Sequence, residues 1–156
     1  MKKINNRLKV IIALSAVLST VLALVSATIM RIEISSIFEG VIAFPPLVSV
    51  ALQRLNIWAI TKIIFCSFIL VSIFFSTIIG YLKHERKFRI LSALLVICLM
   101  VFEIVHIGLI SVNYDIVPKF TALLIISIFA IAFCIVALTF ASLQIFKYKS
   151  KTQGEF

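Results

Sequence analysis

Glycine is scarce in this 156-residue chain, with four in total, and so are proline and cysteine, with three each. Four scattered glycines leave no phosphate-cradling loop of the P-loop or dinucleotide type. The cysteines, Cys66, Cys98 and Cys134, fall in no C-x-x-C pair, so a disulfide framework, a zinc site and a thioredoxin-like centre all lack their spacing. Each lies within an apolar run, where a small residue packing between helices is the expected role. Acidic residues number only six against fifteen Lys and Arg, for a formal charge of +9. The basic residues lie between or outside the apolar runs, which excludes the basic face of a nucleic-acid binder and fits membrane topology. No nucleophile–base pair or metal cluster is apparent, and the chain is read as non-enzymatic and without a cofactor.

What is present is hydrocarbon. Hydrophobic residues make up 63% of the chain, charged residues 13%, and the mean hydropathy is +1.23. A soluble domain of this size keeps too much of its surface in water to hide that much apolar area. The runs Val10–Met30, Ile63–Leu82 and Phe120–Phe146 are uncharged, and Ile90–Val112 is broken only by Glu103 and His106. About 20 residues at roughly 1.5 Å each cross a hydrocarbon core of about 30 Å. A strand would need a closed barrel and alternating polarity, and these runs do not alternate. The expected fold is one all-α integral membrane domain over 1–156, a four-helix transmembrane bundle. Its spans are about 10–30, 62–82, 90–112 and 120–146, joined by an outer loop 31–61 and a cytoplasmic loop 83–89 and ending in a cytoplasmic tail 147–156. The first run also resembles a signal peptide ending at Val25-Ser26-Ala27. Its length favours an uncleaved anchor.

Charge sets the direction. Lys2, Lys3, Arg7 and Lys9 precede the first span, Lys83, Arg86, Lys87 and Arg89 join the second and third, and Lys147, Lys149 and Lys151 follow the fourth. Arg31, Arg54, Lys62 and Lys119 fall on the other side. The positive-inside rule then puts both termini in the cytoplasm, in the cell or cytoplasmic membrane. The three basic segments are expected to attract anionic lipid headgroups.

Small residues mark packing faces. They are Ser15, Ser19, Ala23 and Ala27 on the first span; Ser72, Ser76 and Gly80 on the second; and Ser127, Ala130, Cys134, Ala137 and Ala141 on the fourth. The third span has no such stripe. It carries Glu103 and, three residues later on the same face, His106. A charged carboxylate at mid-membrane costs roughly 2.5 kcal/mol or more on insertion scales. Glu103 must therefore be protonated, pair with His106, or bond to neighbouring helices. Ser19 or Thr20, Ser72 and Ser127 lie at matching depth. Glu103, His106, Ser72 and Ser127 are the candidate ligand or proton site, weighed against a hydrogen-bonded pair that fixes helix register.

The loop 31–61 is too apolar for water. Pro45-Pro46 begins a short helix, Leu47 to Ile60, expected at the outer interface with Trp58 at headgroup level or as an extension of the second span. Glu33 and Glu39 are expected near Arg31 or Arg54. This loop is the expected recognition surface. No known four-span pattern is met: the claudin-like W-G-L-W…C…C motif needs cysteines that this loop lacks. The leading expectation is a subunit or accessory of a larger membrane complex, with other subunits or self-association as partners. The alternative is a small transporter or binder of a proton or of a lipophilic or cationic ligand at Glu103 and His106.

Overall fold

The computed structural model describes residues 2–40, 45–80, 85–115 and 119–152. They form four helices: α1 (Lys2–Gly40), α2 (Pro46–Gly80), α3 (Glu85–Val112) and α4 (Phe120–Thr152). Each holds a stretch long and apolar enough to cross a membrane: Lys9–Gly40, Pro46–Phe75, Ala93–Val112 and Thr121–Leu143. The fold is all-helical, as composition required.

Two boundaries differ from the sequence reading. Residues 31–40 and 46–61 are helix and not loop: α1 runs on to Gly40, and α2 starts at Pro46 and continues without a break. Leu47 to Ile60 is thus the first part of α2, the second of the two alternatives, an extension of the second span. The cause is packing. Leu52, Leu55 and Ala59 are fully buried against Met30 and Ile34 of α1, Ile110 of α3 and Leu123 of α4. The two prolines set the start of α2. Pro46 takes the first helical position, where a missing N–H costs nothing, and the Pro45 carbonyl accepts from Val48 N at 3.0 Å and Ser49 N at 3.1 Å. At the other connection Lys119 adopts a left-handed conformation (φ 53°), and its carbonyl receives the amide of Leu123 at 3.1 Å.

The helices stand in a square. α1 packs most extensively against α4 and then α2, α3 bridges α4 and α2, and α2 and α4 stand on a diagonal, with no close approach of their backbones among the described residues. The small-residue stripes explain the tight α1–α4 pair. Ser15, Ser19, Ala23 and Ala27 are all buried on α1, as are Ser127, Ala130, Cys134 and Ala137 on α4, while Ala141 at the end of its stripe is half-buried. On α2, Ser72 is only half-buried, and the side chains of Ser76 and Gly80 lie outside the described residues. Cys66 and Cys134 are buried, but Cys98 is exposed on α3, contrary to the expectation of three packed thiols.

Burial divides the interior into three levels. One apolar core contains Ala16, Ala23, Cys66, Ile69, Ile73, Val96, Leu99, Cys134 and Ala137. A second, toward the Gly40 end, contains Met30, Ile34, Leu52, Leu55, Ala59, Ile110 and Leu123. Between them, beside Ala27 and Ala130, every helix contributes a buried polar side chain: Ser26, Lys62, Glu103 with His106, and Ser127.

Candidate functional site: a polar layer at mid-membrane

Six side chains form this layer: Ser26 of α1, Trp58 and Lys62 of α2, Glu103 and His106 of α3, and Ser127 of α4. Helical spacing selects them. Trp58 and Lys62 are four residues apart on α2, and Glu103 and His106 three apart on α3, so each pair shares a face. α2 and α3 run antiparallel, which sets Lys62 opposite Glu103 and Trp58 opposite His106.

The Lys62 ammonium meets Glu103 Oε1 at 2.7 Å, and both side chains are 0% exposed. Lys62 lies near the middle of Pro46–Phe75 and Glu103 near the middle of Ala93–Val112. Each charge alone costs roughly 2.5–3.5 kcal/mol at the centre of a helix in a bilayer. Their contact within a low-dielectric interior offsets that cost through Coulomb attraction. Beyond the contact, Glu103 Oε2 and the rest of the Lys62 hydrogen-bonding capacity have no partner among the described residues.

His106 makes a separate chain of bonds. The Trp58 indole N–H can only donate, and it reaches His106 Nδ1 at 3.2 Å. His106 Nδ1 therefore accepts, which makes the ring the neutral tautomer with its proton on Nε2. That N–H donates to Ser26 Oγ at 3.0 Å, and the Ser26 and Ser127 hydroxyls share a hydrogen bond at 3.3 Å. The run of bonds joins α2, α3, α1 and α4 in that order. On the lipid side of the layer, Phe102 stacks on Trp58 at a 5.3 Å centroid separation and on Phe65 at 4.2 Å, closing the α2–α3 seam over the ion pair.

Of the four candidate site residues, the structure brings Glu103, His106 and Ser127 into this layer and leaves Ser72 outside it. Glu103 and His106 do not bond to each other, since each has its own partner. Ser19 and Thr20 donate to the Ala16 carbonyl at 2.9 and 2.7 Å instead of reaching Glu103. Glu33 pairs with Lys119, not with Arg31 or Arg54. Sequence reasoning missed Lys62, Trp58 and Ser26. It ended the second span at its first charge and so counted Lys62 among the outer basic residues. The signal was present: Trp58, Lys62, Cys66 and Ile69 recur at spacings of four, four and three, and apolar residues continue on both sides of Lys62.

Fold and site together define the class: an all-helical protein with four membrane-spanning-length helices and a charged layer at its centre. Comparison with known families, with curated proteins and with solved structures returned no match.

Proposed function

We propose that this chain is a small non-enzymatic four-span membrane protein that acts as a subunit or accessory of a larger membrane assembly. The observation that carries this reading is the closure of the polar layer. Lys62 and Glu103 neutralise each other at 0% exposure, so the interior charge is used to hold the bundle together. Partner recognition then falls to the outer surface. The Gly40 end of α1 and the start of α2 suit it, where Phe38, Leu47 and Val50 are exposed. In this reading both termini are cytoplasmic. With Lys62 inside the bundle, eleven of the fifteen basic residues flank the cytoplasmic ends, and only Arg31, Arg54 and Lys119 remain opposite. Affinity purification of the full chain from native membranes in mild detergent tests the proposal. A stoichiometric second polypeptide that survives Glu103→Gln but is lost when Leu47 and Val50 are replaced by Ser is the expected result. A chain that purifies alone from its native membrane would contradict it.

A second reading has its own support. The unpartnered Glu103 Oε2 beside Lys62 is the feature a proton or lipophilic-ligand site at Glu103 and His106 would use. Here the purified chain alone, in sealed vesicles, moves protons or a lipophilic cation, and Glu103→Gln abolishes the movement while expression is retained. Absence of transport by the wild-type chain would remove this reading.

A further inference from the structure

We infer that the open face of α1 around Arg31 receives a transmembrane helix of a different chain, one carrying an aspartate or glutamate at the level of Arg31. The inference rests on the subunit reading and adds the chemistry of the partner. α1 crosses the polar layer at Ser26, so Arg31 lies five residues on, about 7.5 Å at roughly 1.5 Å per residue. The hydrocarbon core extends about 15 Å to either side of its centre. At that depth Arg31 is exposed on the outside of the bundle, and among the described residues its guanidinium has no partner. A charge facing lipid there is costly unless an opposite charge meets it. Water is out of easy reach. Every Cα–Cβ bond of a helix tilts toward the N-terminus, which for Arg31 is toward Ser26 and away from the headgroups at the Gly40 end. A phospholipid phosphate stops at the headgroup boundary, about 7 Å short of the Arg31 level.

The surroundings of Arg31 suit a helix. It lies in an open groove with Thr28, Ile32 and Ser35 of α1 and Ile63 of α2. Thr28, Ile32 and Ser35 recur at spacings of four and three, the seam period of packed helices. Small residues one turn to either side of Arg31 let a second backbone approach closely. Thr28 has turned its hydroxyl onto the Leu24 carbonyl at 2.8 Å, so it presents carbon and leaves the guanidinium as the polar group at this level.

This chain cannot supply the missing carboxylate from a second copy. Of its six acidic residues, Glu103 is buried on Lys62, and Glu33 is held by Lys119. Glu39 lies eight residues beyond Arg31, about 12 Å farther out, and Asp115 follows the outer end of α3. Glu85 and Glu155 fall in the segments read as cytoplasmic. A parallel twofold partner would set Arg31 against Arg31. The acid therefore belongs to another polypeptide.

The test uses the full-length chain in phosphatidylcholine vesicles and synthetic leucine–alanine transmembrane peptides of about 24 residues. One peptide carries a single Glu about 7 Å from its midpoint, and its controls carry Gln or Lys there. Trp58, the chain's one tryptophan, serves as energy-transfer donor to a dansyl group on each peptide. The expected result is saturable binding of the Glu peptide and roughly tenfold weaker binding of the Gln peptide, as loss of a charge-assisted contact implies. Arg31→Gln binds both at the weaker level, and Arg31→Glu prefers the Lys peptide. Arg31 is exposed, so its replacement leaves the core intact, and Arg54→Gln, outside the groove, keeps the wild-type preference. Equal wild-type affinity for the Glu and Gln peptides, a preference that persists in Arg31→Gln, or its equal loss in Arg54→Gln would each overturn the inference. In native membranes Arg31→Gln should release the second polypeptide. Retention of that polypeptide by Arg31→Gln, with loss on replacing Leu47 and Val50, would overturn the inference and leave the subunit reading standing. A chain that purifies alone would overturn both.

Discussion

The two apolar cores on either side of the polar layer are built differently. The core that includes Ala16, Ala23, Cys66, Cys134 and Ala137 is rich in small residues, and it is where α1 and α4 meet along their Ser/Ala stripes. The core toward Gly40 is built of Met30, Ile34, Leu52, Leu55, Ile110 and Leu123, with Ala59 the one small residue. In lipid no hydrophobic force drives helix onto helix, because acyl chains are as apolar as leucine. The first core therefore relies on close backbone approach. The second relies on interdigitation of large side chains, which four helices can share only because α1 and α2 continue past the sequence-expected boundary. The polar layer between them contributes directional bonds that neither core can supply, and these fix the register of all four helices.

Perturbations of each level should differ in size and in kind. The largest effect belongs to the layer. Lys62→Met leaves Glu103 buried without its cation and should destabilise the bundle by about 3–5 kcal/mol, read by denaturant unfolding in mixed micelles. In the large-residue core, Leu55→Ala should cost about 2–3 kcal/mol through lost packing. In the small-residue core enlargement is the sensitive change. Ala23→Leu should cost about 1–3 kcal/mol by forcing α1 from its neighbours. Equal responses to truncation and enlargement in both cores would erase the distinction between them. The smallest effect is expected at Ser26→Ala, about 0.6 kcal/mol, typical of a hydrogen bond between membrane helices. Thiol labelling gives a check without substitution. Cys98 is exposed but lies within the third span, facing lipid, so a maleimide applied to the folded protein in membranes should leave Cys98 as well as buried Cys66 and Cys134 unmodified, and all three should react on unfolding.

Much of this architecture was legible in the residues. Four apolar runs required four helices, and the Ser/Ala spacing on α1 and α4 marked the faces that are buried. Glu103 and His106 were identifiable as interior because lipid penalises them anywhere else. Their partners were harder to see. A lysine at the edge of an apolar run reads as an interfacial anchor, since the long side chain can extend toward water. Only the presence of an opposite charge on an adjacent helix makes a central position favourable for Lys62. Trp58 posed the same difficulty, because its amphipathic ring suits the headgroup region until a buried acceptor such as His106 Nδ1 is placed beside it. The extension of α1 to Gly40 was hidden by Arg31, Glu33 and Glu39, which look like loop charges when read one at a time. They fall on the outer part of a continuous helix whose other face, Ile34, stays buried.

The account depends most on mutual neutralisation of Lys62 and Glu103 at the centre of the bundle, and a double-mutant cycle measures it directly. Unfolding free energies of the wild type, Lys62→Met, Glu103→Leu and the double variant should show two costly single changes and a double variant restored to near wild-type stability, because removing both charges leaves no uncompensated ion. Losses that simply add would mean that the two side chains do not stabilise each other, and the polar layer would lose its basis.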